Sequence, residues 1–284
     1  VADSGRRQVS GMQTEKFTIT VEVVPPAGSN AAVLLSTLQS LKTLPIDGFS
    51  VATNPVAKPR MSAMALCTLI QQKTGRPAVL HCTTRDHNRL SLQGLLWGAV
   101  ALGIETVLAT TGDFVALEDR SKTKQVRDVD VFDLVKMTRT AGLRTGVVLD
   151  PHPETNGLKK AVERLKRKIE VGAHYVVTQP LYDEAAADEL VEAVRHIGIP
   201  VVMGILPLRS HRHAEFLHHN VAGIAVPRGV RDRMRRAENP VAEGTQNAIE
   251  ILNLARDRFA GACVMPPFDR YEILTDILLE NPRC

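Results

Sequence analysis

Glu22 interrupts an apolar, β-branched run, ITVEVV at 19–24. A carboxylate in such a run is costly to bury unless it is paired or stays protonated. It is therefore either one half of a structural ion pair or an acid held ready to give up a proton. Asp113 closes a second short run, TVLATTGD at 106–113, where a turn or helix-cap aspartate is the plain alternative. Gln179 precedes a proline at the end of YVVTQ (175–179), and Asp183 follows where a helix should begin; turn and capping chemistry account for both. Thr53, Asn54, His81, Thr83, Thr84, Asp150, His152 and Thr178 hold the same relative place, at or just after the end of an apolar run.

The elements that must position these residues alternate regularly. Short apolar runs at 19–24, 48–53, 78–84, 106–113, 144–150, 175–179 and 201–207 mostly start about 30 residues apart, the length of a βα unit. Most are nearly continuously apolar, as strands covered on both faces are. Between them, 34–44, 62–72, 90–102, 131–141, 158–172 and 183–198 carry apolar residues at helical spacing. Gly48, Gly103, Gly142, Gly172 and Gly198 each fall at or just after a helix end, which predicts C-cap glycines. Strict β/α alternation predicts a parallel sheet, and this many units in 284 residues favour a closed (β/α)₈ TIM barrel over an open sheet. No G-x-G occurs, so the Gly-rich turn of the open dinucleotide folds is missing. Residues 1–16 read as an N-terminal extension and 17–284 as one barrel domain. Two segments, AGIAVP (222–227) and GACVMP (261–266), compete for the eighth strand, with a helix pattern at 245–259 between them; pattern alone does not choose. In a barrel, the polar residues at strand ends share the C-terminal face, where active sites lie.

Composition narrows the function classes. The net charge of +4 is too small, and the basic clusters at 165–168 and 228–236 too sparse, for a nucleic-acid partner; a mild positive bias suits an anionic small ligand. The four cysteines form no C-x-x-C pair, so a reducing, cytoplasmic setting is expected. No apolar run is long enough for a membrane span, and the polar first fifteen residues show no secretory signal. His211, His213, His218 and His219 fit no metal-ligand spacing and read as a solvated helix face, so no metal is expected. Cys82, at a strand end, reads as a buried structural thiol more readily than a reactive one. A nucleophile elbow and a Walker loop are absent.

Several segments together resemble the methylenetetrahydrofolate reductases: VEVVPP (21–26), LHCTTRDHN (80–88), ATTGD (109–113), LKRKIEVGAHYVVTQPLYD (165–183), GILPLRS (204–210) and PPFDRYE (266–272). The pattern is most similar to the reductase domain fused to homocysteine methyltransferases, and it runs in order over roughly 17–280. The resemblance implies a barrel holding FAD at its C-terminal face, with NADH or NADPH as electron donor. It implies reduction of 5,10-methylenetetrahydrofolate to 5-methyltetrahydrofolate, a step of one-carbon metabolism that serves methionine biosynthesis. Carried over by position, Glu22 would be the general acid that opens the five-membered ring, and Asp113 would tune the flavin and bond the substrate ring. Gln179, Arg270 and His213 would meet the folate or nicotinamide. Thr53, His81, Thr83, Thr111, Gly112, Asp113, Asp130, His152 and Lys168 would contact the flavin.

The resemblance also selects 261–266 as the last strand and turns AGIAVP into part of an excursion of extra helices before it. Thr111 stands where the long-studied bacterial enzymes carry an Arg, and His213 and Leu217 where they carry Gln and Phe. These departures leave the donor open between NADH, NADPH and a partner protein. Family members generally form homo-oligomers, and association with a methyltransferase or electron-donor subunit is compatible with the sequence. The rival readings are an electron-relay or non-catalytic flavin subunit, and a pterin-dependent methyltransferase barrel.

Overall fold

Alternation along each strand sends successive side chains to opposite faces of a sheet, and here that alternation sorts a helix-facing layer from an axial one. In β1 (Thr18–Val23), Ile19, Val21 and Val23 are buried in the layer shared with the helices, while Thr18, Thr20 and Glu22 line cavities on the barrel axis. The computed structural model of the chain describes residues 16–151, 157–221 and 223–279.

Seven further strands follow: β2 (Gly48–Val51), β3 (Ala78–Thr83), β4 (Thr106–Thr110), β5 (Arg144–Leu149), β6 (Tyr175–Pro180), β7 (Val201–Ile205) and β8 (Gly261–Val264). All pair in parallel in chain order, and β8 returns to β1, closing an eight-stranded barrel. The outer layer comprises α1 (Ala32–Ser40), α2 (Ala63–Thr74), α3 (Arg89–Ala101), α4 (Val131–Thr140), α5 (Gly157–Glu170) and α6 (Glu184–Val194). The predicted excursion is α7 (His211–Asn220), α8 (Arg228–Arg236) and α9 (Pro240–Arg258), and α10 (Ile273–Leu279) follows β8. The segment 223–227 contains no strand and leads into α8, and 261–264 is the eighth strand, as the resemblance implied.

The main hydrophobic core lies between sheet and helices. Leu66 and Ile70 of α2, Leu92 and Leu96 of α3, and Leu134 of α4 are inaccessible there. Truncating any one to Ala should cost about 2–5 kcal/mol. The axial layer holds far less apolar matter, chiefly Leu108, Tyr175, Val177 and Cys263. Tyr175 lies across β5 at Gly146, where an added Cβ would sit 2.3 Å from the ring, and the Arg144 guanidinium stacks 5.3 Å from the same ring. The excursion packs on its own smaller core around Tyr182, Leu208, Leu217 and Met234. Gly244 of α9 abuts the Leu208 carbonyl so closely that a Cβ would lie 1.8 Å from it.

Gly103, Gly142, Gly172 and Gly198 take positive φ at helix ends as predicted, but Gly48 does not. It opens β2, and its missing side chain makes room for the Pro77 carbonyl, which a Cβ would approach to 2.8 Å.

Candidate active site

The C-terminal ends of the strands surround a cavity of about 700 Å³. Its floor is Glu22, the penultimate residue of β1. Burial, then the negative charge of Asp113, pushes the Glu22 carboxyl up to about 7. On the adjacent strand Ser50 is its register neighbour, and the Ser50 hydroxyl lies 2.7 Å from His81 Nε2. Burial pushes His81 down to about 4, so the imidazole is neutral at physiological pH. The Thr53 hydroxyl donates to the His81 carbonyl, tying the end of β2 to β3.

The rim is built from loops. Gly112 takes φ +79 and faces Arg85 and Thr83, whose Cβ atoms would lie 3.1 and 3.2 Å from a side chain there. That turn sets Asp113 at the mouth, where its Oδ2 accepts the Val56 N–H at 2.6 Å. Val56 itself has φ +50, a strained conformation for a β-branched residue.

Arg85 underpins the arrangement. It is 6% exposed and grips Asp86 through two N–H···O bonds of 2.6 and 2.7 Å. Its remaining donors reach the carbonyls of Asp113 and Asn54, each at 3.1 Å. Burial alone would raise the Asp86 carboxyl, but hydrogen bonds from Arg85, Asn54 and Thr83 outweigh it and hold Asp86 below its ordinary value. One bidentate pair thereby joins the loops after β2, β3 and β4.

On the opposite wall, the register of β6 against β7 slips between Val177 and Pro180. Such an irregularity re-aims side chains, and both Thr178 and Gln179 line the cavity. The Thr178 hydroxyl donates to the Gln179 carbonyl and accepts the Gly204 N–H. The Gln179 amide has no protein partner among the described residues and is available to a ligand. Behind it, Lys168 of α5 donates to the Val148 carbonyl at 2.7 Å, and burial, then the charge of Arg164, pushes its ammonium down to about 8. Lys160 and Arg164 precede it at four-residue spacing and line the same wall.

The structure thus brings Glu22, Thr53, His81, Thr83, Thr111, Gly112, Asp113, Lys168 and Gln179 to one cavity. Three predicted residues stand outside its wall. Asp130 caps α4, accepting the Asp133 N–H at 2.8 Å. His213 packs at 5.5 Å on the ring of Phe268, which Arg209 also covers. Arg270 is ion-paired to Glu272 at the edge of a small cleft beside α9. His152 lies outside the described residues. His211 and His219 both contact Glu215 on α7, the surface-helix arrangement expected of that cluster. Cys82 is buried in the helix-facing core, where burial pushes its thiol up to about 12.

The sequence reading missed Ser50, Lys160, Arg164 and the Arg85–Asp86 pair. Four-residue spacing from Lys168 could have found Lys160 and Arg164. The other residues act through contacts between distant loops and strands and leave no periodic trace.

The barrel thus carries a half-buried, protonatable carboxyl beneath a polar mouth. The methylenetetrahydrofolate reductase family model matches residues 7–257. The chain belongs to that family. Its relatives include the probable methylenetetrahydrofolate reductase (NADPH) of Caenorhabditis elegans, 24% identical over 69% of this chain and 31% of that protein. The 5,10-methylenetetrahydrofolate reductase of Salmonella typhimurium is 24% identical over 70% of this chain and 68% of its own length. The chain therefore spans about a third of the nematode protein and two thirds of the bacterial one. Among solved structures, a Clostridium thermocellum protein described as binding two copies of 5-methyl-5,6,7,8-tetrahydrofolic acid shares the fold. The TM-score is 0.68 at 15% identity, covering 94% of this chain and 95% of that one. A chain of the tryptophan synthase a2b2 complex from Pyrococcus furiosus superposes less closely, at a TM-score of 0.52 and 15% identity over 87% of this chain and 86% of that one. No helix among the described residues is long and apolar enough to cross a membrane.

Proposed function

We propose that this member of the methylenetetrahydrofolate reductase family reduces 5,10-methylenetetrahydrofolate to 5-methyltetrahydrofolate in the cytoplasm, as a single reductase domain over 17–284. One observation carries the reading: a carboxyl on the cavity floor whose ionisation is shifted to about 7, at the position the family's acid would take. A group that is half protonated near neutrality is matched to general acid work. Glu22 gives its proton to N10 of the folate, so that the five-membered ring opens to an iminium at N5. Asp113 and the Gln179 amide bond the pterin ring and hold its reacting carbon over the floor. Neutral His81 adds no positive charge beside Glu22, which would otherwise pull the carboxyl toward its ionised form.

FAD supplies the hydride when bound. The cavity suits it: the stripe of Lys160, Arg164 and Lys168 answers a diphosphate, and Thr53, His81, Thr83, Thr111, Gly112 and Asp113 answer the flavin ring and its side chain. NADH or NADPH is the donor in this reading, with His213 and Arg270 meeting the nicotinamide or the folate tail beside the mouth. The exposed apolar residues of α3, Leu90, Trp97 and Val100, support a homo-oligomer.

The test is the visible spectrum of the purified protein, followed by anaerobic titration with each nicotinamide and then with methylenetetrahydrofolate. Flavin absorbance bleached by a nicotinamide and restored by the folate is the expected result. A protein whose reduced flavin is not reoxidised by the folate would be an electron-relay subunit, and one without flavin would favour the methyltransferase reading.

A further inference from the structure

The barrel is hollow on both sides of its floor. At the N-terminal mouth a second cavity of about 540 Å³ is walled by Thr18, Thr20, Thr106, Arg144 and Tyr175. Barrels usually fill this axis with layers of bulky branched side chains. Here Ser50 and Val177 line the upper and the lower cavity alike. Ser50 is the strand neighbour of Glu22, and Thr20 that of Cys263; such neighbours lie about 4.8 Å apart. The hydroxyls of Thr20 and Ser50 both bear on the Cys263 thiol, partly offsetting the upward push of burial. A line of small polar groups therefore runs along the axis from the lower cavity to the floor of the upper one. A cavity this roomy, open at the N-terminal mouth and carrying hydroxyls on its wall, admits water.

We propose that Ser50 passes protons from water in the lower cavity to Glu22, so that the acid is recharged from beneath the barrel. The inference rests on the reading of Glu22 as the acid. Each reduction of the folate consumes one proton along with the hydride. A flat substrate over Glu22 closes the upper approach, and the side facing Ser50 stays open. The Glu22 O–H bond breaks as the N10–H bond forms. The Ser50 O–H then transfers to the carboxylate while the Ser50 oxygen takes a proton from a lower-cavity water, and bulk solvent neutralises the hydroxide left behind. With its proton on Nε2, neutral His81 donates to the Ser50 oxygen and leaves the hydroxyl hydrogen for Glu22. Among the described residues, Asp113, His81, Cys263, Tyr175 and Tyr271 are titratable groups that bear on this segment of the axis, with the Arg144 charge beside Tyr175.

The experiment follows the first and later turnovers of the flavin-loaded protein, mixed with methylenetetrahydrofolate and excess nicotinamide about one pH unit below the Glu22 midpoint. In Ser50→Ala later turnovers should slow at least tenfold relative to that variant's own first turnover, which Glu22 enters already protonated, with a raised solvent deuterium isotope effect. Ser50→Thr should restore the later rate. Thr20→Val, at a residue that lines the lower cavity and not the upper one, should slow later turnovers several-fold and leave flavin reduction unchanged. Later turnovers and isotope effects equal to wild type in both Ser50→Ala and Thr20→Val overturn the inference, as does a first turnover lost in Ser50→Ala with Thr20→Val normal. If wild type reduces no methylenetetrahydrofolate at all, the reading of Glu22 fails and takes this inference with it.

Discussion

Glu22 and Asp113, two of the carboxylates that line the upper cavity, are held in opposite ways. Glu22 stands on a strand, inside the barrel, and its chemistry is set by what surrounds it: burial shifts its ionisation to about 7. Asp113 stands on a loop at the rim, exposed, and its position is set by what it grips: the Val56 N–H and, through its carbonyl, Arg85. The floor thus tunes a proton and the rim aims a side chain. The difference shows how a barrel divides its labour: a strand can desolvate a group but cannot move it, and a loop can place a group but leaves it wet.

The largest effect should come from removing the proton at the floor. Glu22→Gln is expected to retain flavin binding and reduction by nicotinamide but to lose folate reduction by about 10²–10⁴-fold, read by stopped-flow reoxidation. Undiminished folate turnover in that variant would move the acid elsewhere.

The floor should also leave a mark on stability. Folding raises the Glu22 carboxyl from its ordinary 4.5 to about 7. Below the lower value both native and unfolded chains are protonated and no charge is buried. Between the two the native state binds the extra proton, so stability falls as pH rises, and it has fallen fully once pH passes the native midpoint. Each pH unit between the two midpoints is worth about 1.4 kcal/mol, so the loss is at most about 3 kcal/mol. Glu22→Gln stays neutral throughout, so its urea midpoint relative to wild type should rise between about pH 5 and pH 8. A difference that does not change with pH would contradict a raised carboxyl on the floor.

The clamp beneath the rim ranks next. Arg85→Ala strands the partly buried Asp86 and frees three loops, and should cost about 2–3 kcal/mol in chemical denaturation. It should weaken flavin binding as well. A stable variant with wild-type flavin affinity would reduce the clamp to a surface contact.

Asp113→Asn is the mildest change and tests whether floor and rim communicate. The fold should persist and the folate step slow about tenfold, roughly 1.4 kcal/mol. Because the Asp113 charge helps raise the Glu22 carboxyl, the descending limb of the pH–rate profile should move to lower pH in this variant. An unmoved limb would show the two carboxylates to be independent.

The barrel was legible because outward-facing strand residues are apolar and recur with the βα unit. The interval between runs survives small errors at each boundary: predicted 19–24 became Thr18–Val23, and 131–141 became Val131–Thr140. The eighth strand was not legible from pattern, since 222–227 and 261–266 are equally apolar and only one of them finds β1 as a neighbour. The polar interior was hidden for a related reason. Thr and Ser form strands as readily as they fill loops, so Thr20 and Ser50 looked like ordinary members of apolar runs. Glu22 announced itself because a carboxylate is costly in such a run. The Arg85–Asp86 clamp did not, because adjacent opposite charges are common on surfaces and only the meeting of loops makes this pair buried.

Tyr175 and Gly146 carry a consequence for how this chain can diverge. The phenol occupies the space that a side chain on β5 would take, so neither position is free to drift alone. Any residue larger than glycine at 146 must arrive with a smaller one at 175, and shrinking the ring first leaves a void that the second change can fill. The two sites form one inherited unit, and across related barrels they should be found exchanging volume, large against small, from strand to strand.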